Sequence, residues 1–217
     1  MNKGKKFEQM FKESCEKLEN STFIRFIDSA KWVKGEKTSF TPSNKCDSFL
    51  DFNGFLFLLE LKSTKGTSIS YNPKKPYEKP SNPKTKVMIK HNQVKSLMKE
   101  ATKRISIPGF VLNYRERKLK TKHEAEETFF VHINDFIEFA KKFDKSGLNR
   151  EDCRQIGIPI NSKIKKVKYE YDIKSFANAA VNTYIRKQYL NHDYIISKYQ
   201  WLKEIIEGNM DMHKYIE

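Results

Sequence analysis

The sequence predicts an α/β fold with a mixed central sheet flanked by helices, followed by a mainly helical C-terminal extension. Three observations carry that prediction. Apolar residues recur first at helical spacing, then in three strand-like runs, then again as helix, strand, strand and helix. Two of the strand-like runs meet at Asn53-Gly54, a dipeptide that tolerates the positive φ of a two-residue hairpin turn. The length of 217 residues suits one sizeable core with an appendage, here a core over residues 1–145 and an extension over 146–217 packed on it.

The first element is an amphipathic helix over residues 5–19, with Phe7, Met10, Phe11, Cys15 and Leu18 on one stripe. Residues 23–27 follow as a short strand, and residues 28–45 as a polar connection carrying Lys31, Lys34, Lys37 and Lys45. The hairpin spans residues 46–52 and 55–62. With Asn53-Gly54 as its turn, Phe52 pairs with Phe55, Leu50 with Phe57, Ser48 with Leu59 and Asp47 with Glu60. Strand alternation then sends Asp47, Glu60 and Lys62 to the same face. Residues 64–90, broken by Gly66, Pro73, Pro76, Pro80 and Pro83, form a long connection. A helix over 91–103 is expected to bury Val94, Leu97, Met98 and Ala101, and strands at 109–114 and 128–133 flank a charged turn. Asn134 is the expected cap of a helix reaching about Phe143, with Phe136, Ile137, Ala140 and Phe143 inward. Beyond residue 146 the pattern gives a short helix, a basic strand at 164–171 and helices near 175–190 and 194–207.

A formal charge of +15 makes the surface attractive to polyanions; DNA, RNA and acidic membranes all fit that charge. No apolar run approaches the roughly 20 residues that span a bilayer, and the lysine-rich start is not a secretory segment. A cytoplasmic protein without a membrane partner is the expectation. Cys15, Cys46 and Cys153, an odd number without a close pair, are expected to be reduced thiols. The five histidines are scattered, and no glycine-rich loop leads into Lys and Ser or Thr, which argues against a histidine metal centre and an intrinsic ATPase.

The chemistry concentrates in the hairpin. Asp47 and Glu60 offer the hard oxygen donors that Mg²⁺ prefers, with Mn²⁺ as a substitute, and Lys62 stands where an ammonium can orient water or stabilise charge on a phosphate. The competing reading is an edge hairpin decorated with solvated charges, Lys62 neutralising Glu60. Against it, Glu60 and Lys62 interrupt an apolar run from Phe55 through Leu61 that resembles a central strand, where charge is costly unless paired or wet. Glu8 reaches this site if the first helix packs beside the hairpin, and otherwise makes a surface ion pair. Gln93, one turn before Leu97, either directs its amide to the site or stays on the polar surface. Ser63 and Thr64 either donate to a phosphate or end the strand.

Asp47 followed by Glu60-Leu61-Lys62 resembles the metal-binding signature of the PD-(D/E)xK nuclease superfamily. Phe7-Glu8 and Gln93-x-x-x-Leu97 fall where several of its members place an acidic residue and a glutamine. More narrowly, Asn2-x-Gly4-x-x-Phe7-Glu8, Glu60-Leu61-Lys62-Ser63-Thr64 and the segment 91–93 are similar to RecU-type Holliday-junction resolvases of Gram-positive bacteria and their phages, over about residues 2–140. The resemblance implies a restriction-endonuclease-like core and a Mg²⁺-dependent homodimer that cuts four-way DNA junctions in recombination and repair. It also implies metal ligands at Asp47 and Glu60, water or phosphate positioning by Lys62, acidic support from Glu8 and orientation of the site by Gln93. Cys46 stands where the family has proline, and the basic stalk that such resolvases insert into a junction is not evident over residues 28–45. A restriction-like or repair endonuclease acting on duplex, flap or nicked DNA, and a non-catalytic DNA-binding protein on the same core, are the alternatives.

Lys65, Lys74, Lys75, Lys79, Lys84, Lys86 and Lys90 form one basic tract, and Lys163, Lys165, Lys166 and Lys168 a second. Both suit sequence-independent phosphate contacts. Tyr71 and Tyr77 either stack on bases exposed at a junction or pin the loop that carries them.

Overall fold

Helix α1 (Lys3–Cys15) lays Phe7, Met10, Phe11 and Cys15 on a sheet, as its apolar stripe requires. The computed structural model describes residues 3–26, 44, 46–82, 84–103, 105–118, 123–166 and 168–185. The connection expected over 28–45, Asn44 excepted, and the helix near 194–207 lie outside the described residues. Strand β1 (Ser21–Arg25) leads to the hairpin of β2 (Ser48–Phe52) and β3 (Phe55–Thr64), then to a short β4 (Ser68–Ser70) and helix α2 (His91–Glu100). Next come β5 (Ser106–Tyr114), a small ribbon of β6 (Arg117–Lys118) and β7 (His123–Glu124), β8 (Glu127–His132) and helix α3 (Ile133–Lys142). The C-terminal part adds β9 (Gly147–Asn149), α4 (Arg150–Ile156), β10 (Ile158–Pro159), the pair β11 (Ser162–Lys165) and β12 (Lys168–Tyr171), and α5 (Ile173–Ala180), which ends in a π turn over Val181–Ile185.

Six strands form the central sheet in the order β1-β2-β3-β5-β8-β10. Only β3 and β5 run parallel, joined through α2; the other neighbours are antiparallel, so the sheet is mixed. Asn53 and Gly54 take φ of 50° and 77°, the left-handed pair that a tight hairpin turn needs. The turn fixes the register: Phe52 faces Phe55, Leu50 faces Phe57 and Ser48 faces Leu59.

Alternation along β3 divides the core in two. Phe57, Leu59 and Leu61 pack with Phe7 and Phe11 of α1 and Phe176 of α5, while Leu58 packs with Val94 and Leu97 of α2 and Phe136 of α3. Phe57 meets Phe176 edge-on with centroids 5.6 Å apart. The segment after residue 146 completes this architecture: β10 pairs with β8, and α5 covers one face. Among the described residues no helix is long and apolar enough to cross a membrane.

Several local expectations change. The first helix stops at Cys15 because residues 16–20 turn toward β1, Asn20 taking φ 53°. On α2 the buried stripe is Val94, Leu97 and Glu100, and Met98 is 37% exposed; the Glu100 carboxylate pairs with Lys103 at 2.6 Å. The cap of α3 is His132, whose Nδ1 accepts the Asn134 N–H, not the Asn134 side chain. Phe143 terminates α3 and is 38% exposed, resting on the Phe139 ring. The basic strand expected over 164–171 is a hairpin of two strands with Lys166 at φ 59° in its turn.

The β5–β8 pairing leaves no room for a side chain at Gly109. A Cβ there would lie 2.5 Å from the Val131 carbonyl oxygen and 2.6 Å from the Phe130 ring. Gly109→Ala is expected to destabilise the protein by about 1–3 kcal/mol, read as a lower urea midpoint with an unchanged slope. An unaltered midpoint would contradict this register.

Candidate active site

Strand β3 outlasts β2. The β2–β3 ladder reaches only Ser48 opposite Leu59, whereas β5 runs alongside β3 to Thr64. From Glu60 onward β3 therefore has an open edge toward β2, and a backbone N–H there needs another acceptor. Asp47 supplies it: its Oδ2 accepts the Leu61 N–H at 2.9 Å. Asp47 thus lies just ahead of β2, outside the ladder in which it was expected to oppose Glu60.

The same carboxylate oxygen lies 3.5 Å from Lys62 Nζ, and that ammonium donates to Glu60 Oε2 at 2.9 Å. Gln93 closes the group from α2, its Nε2 donating to Glu60 Oε2 at 2.5 Å. The Gln93 amide is itself fixed, because its Oε1 accepts the Lys90 N–H at 3.0 Å where α2 begins. Asp47, Glu60, Lys62 and Gln93 are brought together by these bonds. Side-chain exposure rises from 4% at Glu60 through 14% at Lys62 to 39% at Asp47, so the cluster opens to solvent on the Asp47 side.

Burial pushes the Glu60 carboxyl up to about 8; the Lys62 charge opposes that rise and the Asp47 charge adds to it. Burial alone would lower Lys62, but the Glu60 and Asp47 carboxylates outweigh it and hold the amine as ammonium. The neighbouring Cys46 thiol donates to the Ser48 carbonyl and is pushed up to about 12, by burial first and then by Glu60. Cys46 is therefore a protonated packing residue. Cys15 and Cys153 are likewise free and buried.

Among the described residues, no three His, Cys, Asp or Glu side chains gather as a metal cage. Asp47 and Glu60 offer two carboxylates, a set that suits Mg²⁺, which keeps water and substrate phosphate oxygens at its remaining positions. Their fit to a cation is visible in the arrangement itself: both already converge on one ammonium.

Glu8 forms an ion pair with Arg25 at the end of β1, where Arg25 lies opposite Ser48 in register, one residue from Asp47. The surface ion pair is one of the two outcomes open for Glu8; an arginine closing a short strand gave no signal of it in the sequence. Ser63 Oγ donates to Asn113 Oδ1 at 2.8 Å, and Thr64 Oγ1 accepts the Gly66 N–H, so both end the strand.

Lys65, Lys74, Lys75, Lys84, Lys86 and Lys90 are exposed, although Lys74 pairs with Asp144 and Lys75 with Glu78. Tyr71 is a correction. It is 1% exposed and meets the Phe136 ring edge-on at 5.1 Å, because β4 pairs with β9 and draws the chain into the core. It cannot stack on a base without unfolding this packing. Tyr77 is half-buried against the same core.

No family model matches the chain. Its sequence is 33% identical over 183 residues to the SPbeta prophage-derived uncharacterized protein YotM of Bacillus subtilis (strain 168), covering 78% of this chain and 82% of the relative. The chain belongs to the YotM family. That name records a prophage origin and no reaction.

In this YotM-family chain the buried carboxylate has a consequence for stability. The native Glu60 value of about 8 lies above its ordinary 4.5, so between those pH values the folded state holds a proton that the unfolded state has released. Stability contributed at this site is thus complete below about pH 4.5 and is lost as pH rises toward 8, by up to about 1.4 kcal/mol per unit. In chelator-treated protein, Glu60→Gln is expected to remove that slope, measured as urea midpoints of parent and variant at pH 5 and pH 8. Parallel pH dependences in the two proteins would contradict the assignment.

Proposed function

We propose that this protein is a divalent-metal-dependent DNA endonuclease with a restriction-endonuclease-like core, acting as a homodimer on four-way junctions. One observation carries the reading: two carboxylates, one on β3 and one just ahead of β2, converge on a single cationic position at the open end of β3, with Gln93 bracing the more buried one. The likeness of Asp47 and Glu60-Leu61-Lys62 to the PD-(D/E)xK signature, and the RecU-like motifs around them, supply the reaction class. The +15 charge and the exposed lysines of residues 65–90 supply the affinity for a polyanion.

Asp47 and Glu60 are the residues that would hold Mg²⁺ or Mn²⁺. Such an ion, when bound, withdraws charge from a phosphate and acidifies water. The chain's own groups divide the remaining work. Asp47, tied by one oxygen to the Leu61 N–H, is fixed at the mouth of the site. Gln93 prevents the Glu60 carboxylate from rotating, and burial of Glu60 keeps bulk water from its inner side. Lys62 presents an ammonium to the nonbridging oxygens of the scissile phosphate and stabilises their charge as water adds to phosphorus. The P–O3′ bond breaks, the 3′ oxygen takes up a proton, and a 5′ phosphate remains. Two copies related by a two-fold axis would place two such sites on opposing strands of a symmetric junction.

A labelled mobile four-way junction incubated with Mg²⁺ tests the reading. Paired symmetric nicks are expected from the parent, with linear duplex cut far less. Asp47→Asn and Lys62→Ala are each expected to reduce nicking by at least about 100-fold while junction binding is retained. Undiminished nicking by Asp47→Asn would overturn the site, and equal cutting of duplex and junction would replace the resolvase reading with a general endonuclease.

A further inference from the structure

The β11–β12 hairpin leans on α1 by one side of its ribbon. The Tyr171 N–H donates to Ser14 Oγ at 3.0 Å, the Tyr171 side chain is buried, and Lys168 Nζ reaches the Glu13 carboxylate at 3.0 Å. The outer strand is tied only at its start, where Ser162 Oγ donates to Glu126 Oε2 at 2.9 Å, and every residue of Ser162–Lys165 is exposed, including Ile164 at 63%. The register sets Lys163 beside Glu170 and Lys165 beside Lys168 on the ribbon face opposite the one that carries Tyr169 and Tyr171.

Charge accumulates on that face. The Glu170 carboxylate is surrounded by Lys165 Nζ at 2.5 Å, Lys17 Nζ at 2.6 Å and Lys163 Nζ at 3.7 Å, three cations around one anion. Lys166 adds a further cation at the turn, where its φ of 59° is one that glycine or asparagine adopts more readily. A hollow of about 530 Å³ opens beside the ribbon, with Lys17, Lys163 and Lys174 on its walls together with Glu170 and Asp172. This surplus of ammonium groups fits a regularly spaced polyanion. A two-stranded ribbon is also narrow enough to enter a DNA major groove about 12 Å wide.

We propose that the outer face of β11–β12, bordered by Lys17, is a second DNA-binding surface that grips a duplex segment other than the one cut. The choice of partner rests on the nuclease reading. The placement supplies the rest: the ribbon packs on the α1 side of the sheet, whereas Glu60 and Lys62 face α2. A branched substrate has arms for both surfaces.

The test compares the parent with Lys163→Gln/Lys165→Gln/Lys166→Gln and with a control of equal charge change, Lys99→Gln/Lys141→Gln/Lys142→Gln, all exposed lysines. Binding of a labelled four-way junction is followed by anisotropy across a NaCl titration without divalent metal. The ribbon variant is expected to lose at least about tenfold in affinity and to flatten the slope of log K against log [NaCl] by about 0.9 for each phosphate contact removed. The control, and a Lys163→Arg/Lys165→Arg/Lys166→Arg variant, should remain near the parent. Nicking at saturating protein should also survive in the ribbon variant. Unchanged affinity and slope, an equal loss in the control, or a loss that appears only on anionic lipid vesicles and not on DNA would overturn the proposal. A parent that binds through the ribbon but never cuts would instead overturn the nuclease reading alone.

Discussion

The pairing of Lys62 with Glu60 inside the sheet is the constraint around which the other parts are arranged. A carboxylate and an ammonium on one face of a central strand, with side chains 4% and 14% exposed, are tolerable only if each compensates the other and neighbours take up the remaining hydrogen-bonding capacity. The structure meets that demand from three directions. Lys62 donates from two residues along the strand, Gln93 donates from α2, and Asp47 adds a second carboxylate for the ammonium. Even so, burial outweighs these partners and keeps Glu60 raised. The proposed metal chemistry asks a divalent cation to take over part of that compensation.

The two cores hold this arrangement rigidly. On one face Phe57, Leu59 and Leu61 are packed under α1 and α5; on the other Leu58 is packed under α2 and α3. Slipping β3 by one residue would exchange Glu60 for Leu61 on the α2 face and bury a carboxylate among the aromatic rings of α1 and α5. The Asn53-Gly54 turn, the nine-residue parallel ladder to β5 and the Asp47 bond to Leu61 all oppose such a slip. The position of Lys62 is thus a product of the whole sheet.

The hairpin and the meeting of Asp47, Glu60 and Lys62 were legible because they follow from local rules: a turn dipeptide sets the register, and alternation sets the face. The mixed sheet flanked by helices was legible from the order of periodicities. What escaped depends on contacts distant in sequence. Tyr71 reads as a loop residue until the three-residue β4 finds β9, nearly eighty positions away, and carries the ring onto Phe136. Glu8 reads equally as a site acid or as half of a surface ion pair until the fold brings Arg25 to it. Asp47 does not pair with Glu60 because β2 starts at Ser48, and its carboxylate then serves the open edge of β3. The hairpin of β11 and β12 was hidden because its strands are only four residues long and a lysine, not a glycine, takes the positive φ of its turn.

The central claim is that Asp47 and Glu60 share one divalent cation at the mouth of β3. Crystals soaked in Mn²⁺ and measured at the manganese absorption edge test it directly. An anomalous peak is expected within coordinating distance of both carboxylates, with the Lys62 ammonium displaced from its present contact with them. A peak held by other residues, or none at Mn²⁺ concentrations that support cleavage, would contradict it.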